Sequence, residues 1–167
     1  MAVPFTIVVD TREQRPWTFQ VLRADKDKGR RLLDVSTTRG TLQAGDYSIS
    51  GHEHQVAVER KSKEDLFGTI GGGRARFERE LARLNALDMA WVIVEAEFGE
   101  CCTAPPGRSQ LKPKTIHRSV IAWEMRYPKV HWWFAVNRSA AEIACFRRLE
   151  MWWRIQQHKQ MEAPEHA

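Results

Sequence analysis

At 167 residues the chain has the length of one domain, enough to bury a core without disulfide staples. Its 26 Lys and Arg against 21 Asp and Glu leave a net charge of +5, which favours a polyanionic partner without demonstrating one. Cys101, Cys102 and Cys145 show no zinc spacing and no even-numbered framework, and the amino terminus has no basic segment before its short apolar run. The expected setting is therefore reduced and cytoplasmic, with neither secretion nor a membrane.

Phe5 to Val9 is a short apolar, β-branched run that reads as a buried strand delivering Asp10 at its carboxyl end. Residues 11 to 31 are polar and basic, with the run from Arg23 to Arg31, and read as an exposed connection, helical in part. Tyr47 to Ser50 and Val56 to Val58 read as paired strands around the polar turn Gly51 to Gln55, which would bring Asp46 and Glu59 to one end of a sheet. Strand alternation places Glu59 and Lys61 on one face. Asp65-Leu66-Phe67 suggests a short helix ended by Gly68, and Gly71-Gly72-Gly73 is too flexible for any element.

From Arg76 to Leu87, Phe77, Leu81, Leu84 and Leu87 recur at helical spacing, with Arg79, Glu80 and Arg83 on the other face. Trp91 to Glu95 reads as a buried strand, followed by a Pro/Gly-rich loop through Cys101, Pro105, Pro106 and Gly107. A helix over Thr115 to Arg126, a strand over Val130 to Val136 and a long helix over Ser139 to His158 follow. Ser139 and Glu142 form a capping-box pattern. This order predicts an α/β fold with a mixed central sheet flanked by helices. The expected organisation is a single domain over residues 1–161, its motifs in 5–95 and its Trp-rich completion in 111–158, with a disordered tail over 162–167.

Asp46, Glu59 and Lys61 are the residue types that metal-assisted phosphodiester hydrolysis needs. Acids hold Mg²⁺ or Mn²⁺ against an anionic phosphate, and a nearby lysine steadies hydroxide or phosphate. If Asp10 joins Asp46 and Glu59, mutual repulsion raises at least one pKa until a cation enters.

Val9-Asp10-Thr-Arg12-Glu13, Ala44-Gly45-Asp46-Tyr47 and Glu59-Arg60-Lys61-x-x-x-Asp65 resemble the XPF-type structure-specific endonuclease domain, over residues 5 to 95. A chance Glu-Arg-Lys-x-x-x-Asp occurs in roughly one chain of this length in several hundred, before the upstream acids are required. The resemblance implies a restriction-endonuclease-like fold, Mg²⁺ or Mn²⁺ as cofactor, and cleavage of branched DNA such as flaps, forks and four-way junctions, in repair or recombination. It implies Asp10, Asp46 and Glu59 as metal residues and Lys61 as the catalytic lysine. Arg12 is expected on DNA, Glu13 behind the metal shell, and Arg60 paired with Asp65 or Glu64. Cellular members of the family usually carry a helix-hairpin-helix module or a helicase-like domain. The sequence shows no such pattern after residue 95, so the expectation is a free-standing nuclease of phage type, with a homodimer or a host DNA-processing protein as further partner.

Other features have two readings each. Arg74 and Arg76, after the triple glycine, either grip a phosphate backbone from a mobile loop or belong to a plain linker. Lys112, Lys114, Arg118 and Arg126 form either a phosphate patch or an ordinary charged helix face. Of Trp132-Trp133 and Trp152-Trp153, alternate members are expected in the core, with the outward ones free for bases or a dimer contact. His52 and His54 lie in a turn away from Asp46. Besides a junction endonuclease, the residues allow a non-catalytic DNA scaffold of the same fold, or a restriction-type enzyme or exonuclease.

Overall fold

A computed structural model describes residues 1–24, 31–107 and 109–162. Most of the basic run between Arg23 and Arg31, and the tail after Glu162, lie outside the described residues. Six strands form one sheet in the order β2-β1-β3-β4-β5-β6: β1 (Ala2–Asp10), β2 (Asp34–Gly40), β3 (Tyr47–Ile49), β4 (Val56–Lys61), β5 (Met89–Val94) and β6 (Val130–Phe134). β3 runs antiparallel to both β1 and β4, whereas the β1–β2, β4–β5 and β5–β6 pairs are parallel. The expected mixed sheet is thus observed, and the turn after β3 brings the ends of β3 and β4 that carry Asp46 and Glu59 together.

Each face of the sheet is buried by a different set of helices. Val56 and Val58 of β4 and Ile93 of β5 pack with Cys145, Phe146, Leu149 and Trp152 of α5 (Arg138–Glu162). The intervening residues Ala57, Ala90, Val92 and Val94 face the opposite way. They meet Leu66 and Phe67 of α1 (Lys63–Ile70), Phe77, Leu81 and Leu84 of α2 (Arg74–Asn85), and Ile116 and Trp123 of α4 (Pro113–Arg126). Strands buried on both faces explain why β4 and β5 read as continuous apolar runs. A shorter helix, α3 (Phe98–Thr103), sits between β5 and α4.

Several expectations are corrected. Residues 11 to 24 are no plain exposed connection and contain no helix: Trp17, Phe19 and Leu22 are buried in the α5-side core, where Trp17 stacks on Tyr47 with ring centroids 4.7 Å apart. β2 has a mostly exposed, polar sequence, typical of an edge strand, and so left no apolar alternation to read. α1 continues through Gly68 to Ile70, because Leu66, Phe67 and Ile70 bury a common face and Ser62 and Asp65 close a capping box at its start. The segment around Cys101 is helical rather than loop. α5 begins one residue before Ser139, and the Ala140 amide donates to Asn137 Oδ1. Glu142, free of the capping role, instead accepts the Phe19 amide. Trp132 and Trp133 do alternate, Trp132 stacking on Trp123 at 5.7 Å and Trp133 lying 46% exposed beneath Arg148, whereas Trp152 and Trp153 both pack against the α5-side core.

Leu81 is fully buried between α2 and the sheet. Leu81→Ala is expected to cost about 3 kcal/mol by leaving a cavity beneath the helix, measured as a lower urea midpoint at unchanged slope.

Candidate active site

The site begins with a turn that glycine makes possible. Gly45 has φ +75°, and a Cβ there would lie 3.0 Å from the Val58 carbonyl oxygen and 3.1 Å from Ala57 Cβ. That close approach lets the Asp46 amide donate to the Val58 carbonyl at 2.8 Å, while the Arg60 amide donates to Asp46 Oδ2 at 2.7 Å. Asp46 is therefore clipped to β4 on either side of Glu59. Along β4, Glu59 and Lys61 follow Ala57 onto the α2 face, with Lys61 Nζ 3.1 Å from Glu59 Oε1 and 4.4 Å from the centre of the Phe77 ring. These groups line a cavity of about 900 Å³, together with Glu13, Glu80 and the exposed rim residues Arg12, Arg76 and Arg83.

Burial raises the Asp46 carboxyl well above its usual range, and the Glu59 charge adds to the shift, against the opposing Arg60 amide. Burial likewise raises Glu59, with Lys61 opposing and Glu80 reinforcing it. One ammonium thus faces several carboxylates in a desolvated place, which leaves negative charge for a cation to neutralise. Among the described residues no three His, Cys, Asp or Glu side chains converge as a ready metal cage. A pair of carboxylates still fits Mg²⁺ or Mn²⁺, since Mg²⁺ is usually held by one or two carboxylates, with waters and phosphate oxygens as its remaining ligands.

The other motif residues brace this pair. Asp10 is 1% exposed. Its carboxylate accepts from the Arg12 amide at 2.8 Å, from Arg12 Nε at 2.8 Å and Nη2 at 3.0 Å, and from the Leu42 amide at 2.7 Å. Burial draws Asp10 upward, but these partners outweigh it and hold it below its ordinary value. Asp10 lines the cavity with both of its oxygens engaged by Arg12 and the Leu42 amide. Arg12 is two-thirds exposed and also donates to the Leu42 carbonyl, so one edge of it is committed and the rest faces the rim. Glu13 is buried and accepts the Arg15 amide and, at 3.3 Å, Arg60 Nη1.

The expected pairing of Arg60 with Asp65 or Glu64 is corrected. Arg60 points to the α5 face, where Nε and Nη2 meet the two oxygens of Glu95 at 2.8 and 3.1 Å. Glu95 also accepts the Trp17 indole and Arg138. Asp65 serves the capping box of α1. Arg74 is no loop residue: it opens α2, bonds Ser119 and lies 4.8 Å from the centre of the Trp123 ring, tying α2 to α4. Arg76 does line the cavity, whereas Lys112 and Lys114 stand at the start of α4 and are not among its lining. His52 meets Trp152 edge to face and bonds Gln55. Cys101 is buried, which pushes its thiol up to about 11 and removes it as a nucleophile.

Sequence reasoning missed Glu80 and Glu95. Glu80 Oε1 accepts the Gly45 amide at 2.9 Å, and its only sequence signal is its place one turn beyond Phe77 on an amphipathic helix. Glu95 is the residue directly after β5, on a line with Lys61, whose carbonyl accepts the Glu95 amide at 2.8 Å.

A raised carboxyl pKa has a definite consequence for stability. The folded state holds its protons to higher pH than the unfolded chain, so the benefit is complete below the ordinary carboxylate range and is lost as pH rises through the raised folded values. Asp46→Asn keeps an acceptor for the Arg60 amide and removes the repulsion. In EDTA it is expected to match the wild type near pH 3.5 and to exceed it at pH 8 by on the order of 1 kcal/mol in urea unfolding.

The ERCC4 domain model matches residues 9–145. Among solved structures, XPF from Aeropyrum pernix is similar, with a TM-score of 0.66 and 18% identity over 93% of this chain and 69% of that one. No curated protein sequence matches. The structural likeness speaks to the fold, and that fold is the restriction-endonuclease-like sheet with flanking helices. The family match runs from the end of β1 into α5 and takes in the strand ends that build the cavity, and on that ground the protein belongs to the ERCC4 domain family of nuclease domains.

Proposed function

We propose that the protein is a divalent-metal-dependent DNA endonuclease that hydrolyses one phosphodiester at a branch or single-strand/duplex junction. The observation that carries this reading is the half-buried Asp46 with the buried Glu59, beside Lys61 in a cavity rimmed by arginines. The preference for branched DNA follows from the resemblance of the motifs to XPF-type endonucleases; the chemistry follows from the side chains.

Asp46 and Glu59 would hold Mg²⁺ or Mn²⁺, which when bound offsets phosphate charge and makes a coordinated water acidic enough to attack. Glu59 keeps one oxygen on Lys61 and would have its carboxylate available to the cation. Lys61, steadied from below by Phe77, donates to the attacking water or a phosphate oxygen and holds it in line. Arg60 leaves the chemistry to its neighbours and fixes them: its amide holds Asp46, and its guanidinium anchors β4 to Glu95 and Glu13. Arg12, Arg76 and Arg83 bind backbone phosphates without reading bases, so affinity falls as salt rises.

Labelled single strand, duplex, flap and four-way junction, each with Mg²⁺, Mn²⁺ or EDTA, test the reading. Cutting is expected on a branched substrate, absent in EDTA, and reduced at least about 100-fold in Glu59→Gln and Lys61→Ala with DNA binding retained. Full cleavage by Lys61→Ala at saturating metal would overturn its role, and tight binding with no cutting by the wild type would favour a non-catalytic scaffold. A best rate on plain duplex or on strand ends would point instead to a restriction-type enzyme or an exonuclease.

A further inference from the structure

We propose that Glu80 of α2 is a positioning residue of the nuclease site, holding the Gly45–Asp46 turn through the Gly45 amide. The inference rests on the nuclease reading above. It concerns a residue that lies outside the Gly-Asp and Glu-Arg-Lys motifs and reaches the site from a different element.

Asp46 is clipped to β4 by its own amide and by that of Arg60, but both bonds lie on the strand side of the turn. Nothing in them fixes the preceding residue. Gly45 is buried, and its amide is directed at α2, where Glu80 Oε1 accepts it at 2.9 Å. A buried amide deprived of its acceptor is costly, so the turn would shift to find another partner. The turn passes so close to β4 that a Cβ at Gly45 would press on the Val58 carbonyl and Ala57. The turn is therefore held between β4 and α2, and Asp46 inherits its place from both.

The Glu80 charge adds to the repulsion felt by Glu59. Arg83, one turn on, takes the second oxygen of Glu80 and offsets part of that charge while leaving Oε1 to Gly45. Phe77, three residues earlier on the same helical face, supports Lys61. One face of α2 thus locates both the turn that carries Asp46 and the ammonium beside Glu59. Neither residue needs to touch substrate to do this.

Glu80→Ala and Glu80→Gln separate a hydrogen-bonding role from a charge role, because Gln keeps an oxygen for the Gly45 amide and loses the charge. At saturating Mg²⁺ and DNA, Glu80→Ala is expected to lower kcat by about 10- to 100-fold with KM within twofold, the scale of a misplaced catalytic group. Glu80→Gln is expected to stay within about threefold of the wild-type rate. Independently of cleavage, the Gly45 amide resonance in ¹H–¹⁵N spectra without metal should move strongly in the Ala variant and little in the Gln variant. A Gln variant as impaired as Ala, or an Ala variant with the wild-type rate, would overturn the positioning role. Should the wild type cut no DNA, the nuclease reading fails and the spectra alone decide: an unmoved Gly45 amide in Glu80→Ala refutes the clamp. If the Ala variant does not fold, the Gln variant decides: a near-wild-type rate with an unmoved Gly45 amide upholds the clamp, and a large loss of rate refutes it.

Discussion

Two hydrogen bonds donated by backbone amides hold a pair of like charges together, and the rest of the site answers that constraint. The Asp46 amide on the Val58 carbonyl and the Arg60 amide on the Asp46 carboxylate leave Asp46 no route away from Glu59. Burial raises both carboxyls, and neighbouring charges act in the same direction, Glu59 on Asp46 and Glu80 and Glu13 on Glu59. Lys61 offsets part of the charge but remains a single cation. A site of this kind holds its electrostatic strain until a divalent ion or a proton relieves it, and this is how a fold keeps acids ready for metal chemistry.

Strand alternation divides the Glu59-Arg60-Lys61 triplet between two tasks. Glu59 and Lys61 project toward α2 and the cavity, whereas Arg60 projects toward α5 and the Glu95 carboxylate. Glu95 gathers Arg60, the Trp17 indole and Arg138, which come from β4, the segment after β1 and the start of α5. Because the Arg60 and Glu95 side chains are both charged and largely buried, removing the carboxylate would leave the guanidinium dependent on its longer contact with Glu13. The motif therefore carries its own foundation: the cavity-lining pair Glu59 and Lys61 sits on one face of the sheet, and the Arg60 anchor sits on the other.

The parts of this arrangement that were legible in sequence depend on short-range periodicity. The 3.6-residue spacing of Phe77, Leu81 and Leu84 marked α2, the apolar runs marked β1 and β5, and the polar turn from Gly51 to Gln55 placed Asp46 and Glu59 at one end of a hairpin. Partners from distant segments left no such trace. Arg60 has acids nearby at Glu64 and Asp65 but meets Glu95 because β4 and β5 are parallel neighbours, a pairing that local spacing does not encode. Glu80 looks like a solvated helix residue until Gly45 is brought against it. Asp10 shows the reverse case: its motif position suggests a ligand, and only the folded geometry reveals that Arg12 and Leu42 take up its oxygens. β2 was hidden by its polar edge-strand sequence, and Trp17 and Phe19 by the charged residues around them.

If the Asp46–Glu59 pair is a divalent-cation site, calorimetric titration of Mn²⁺ into the protein at pH 7.5 without DNA tests it most directly. Saturable binding by the wild type is expected, accompanied by proton release from the raised carboxyls and abolished in Glu59→Gln. Binding that persists unchanged in Glu59→Gln, or no binding by the folded wild type, would contradict the assignment.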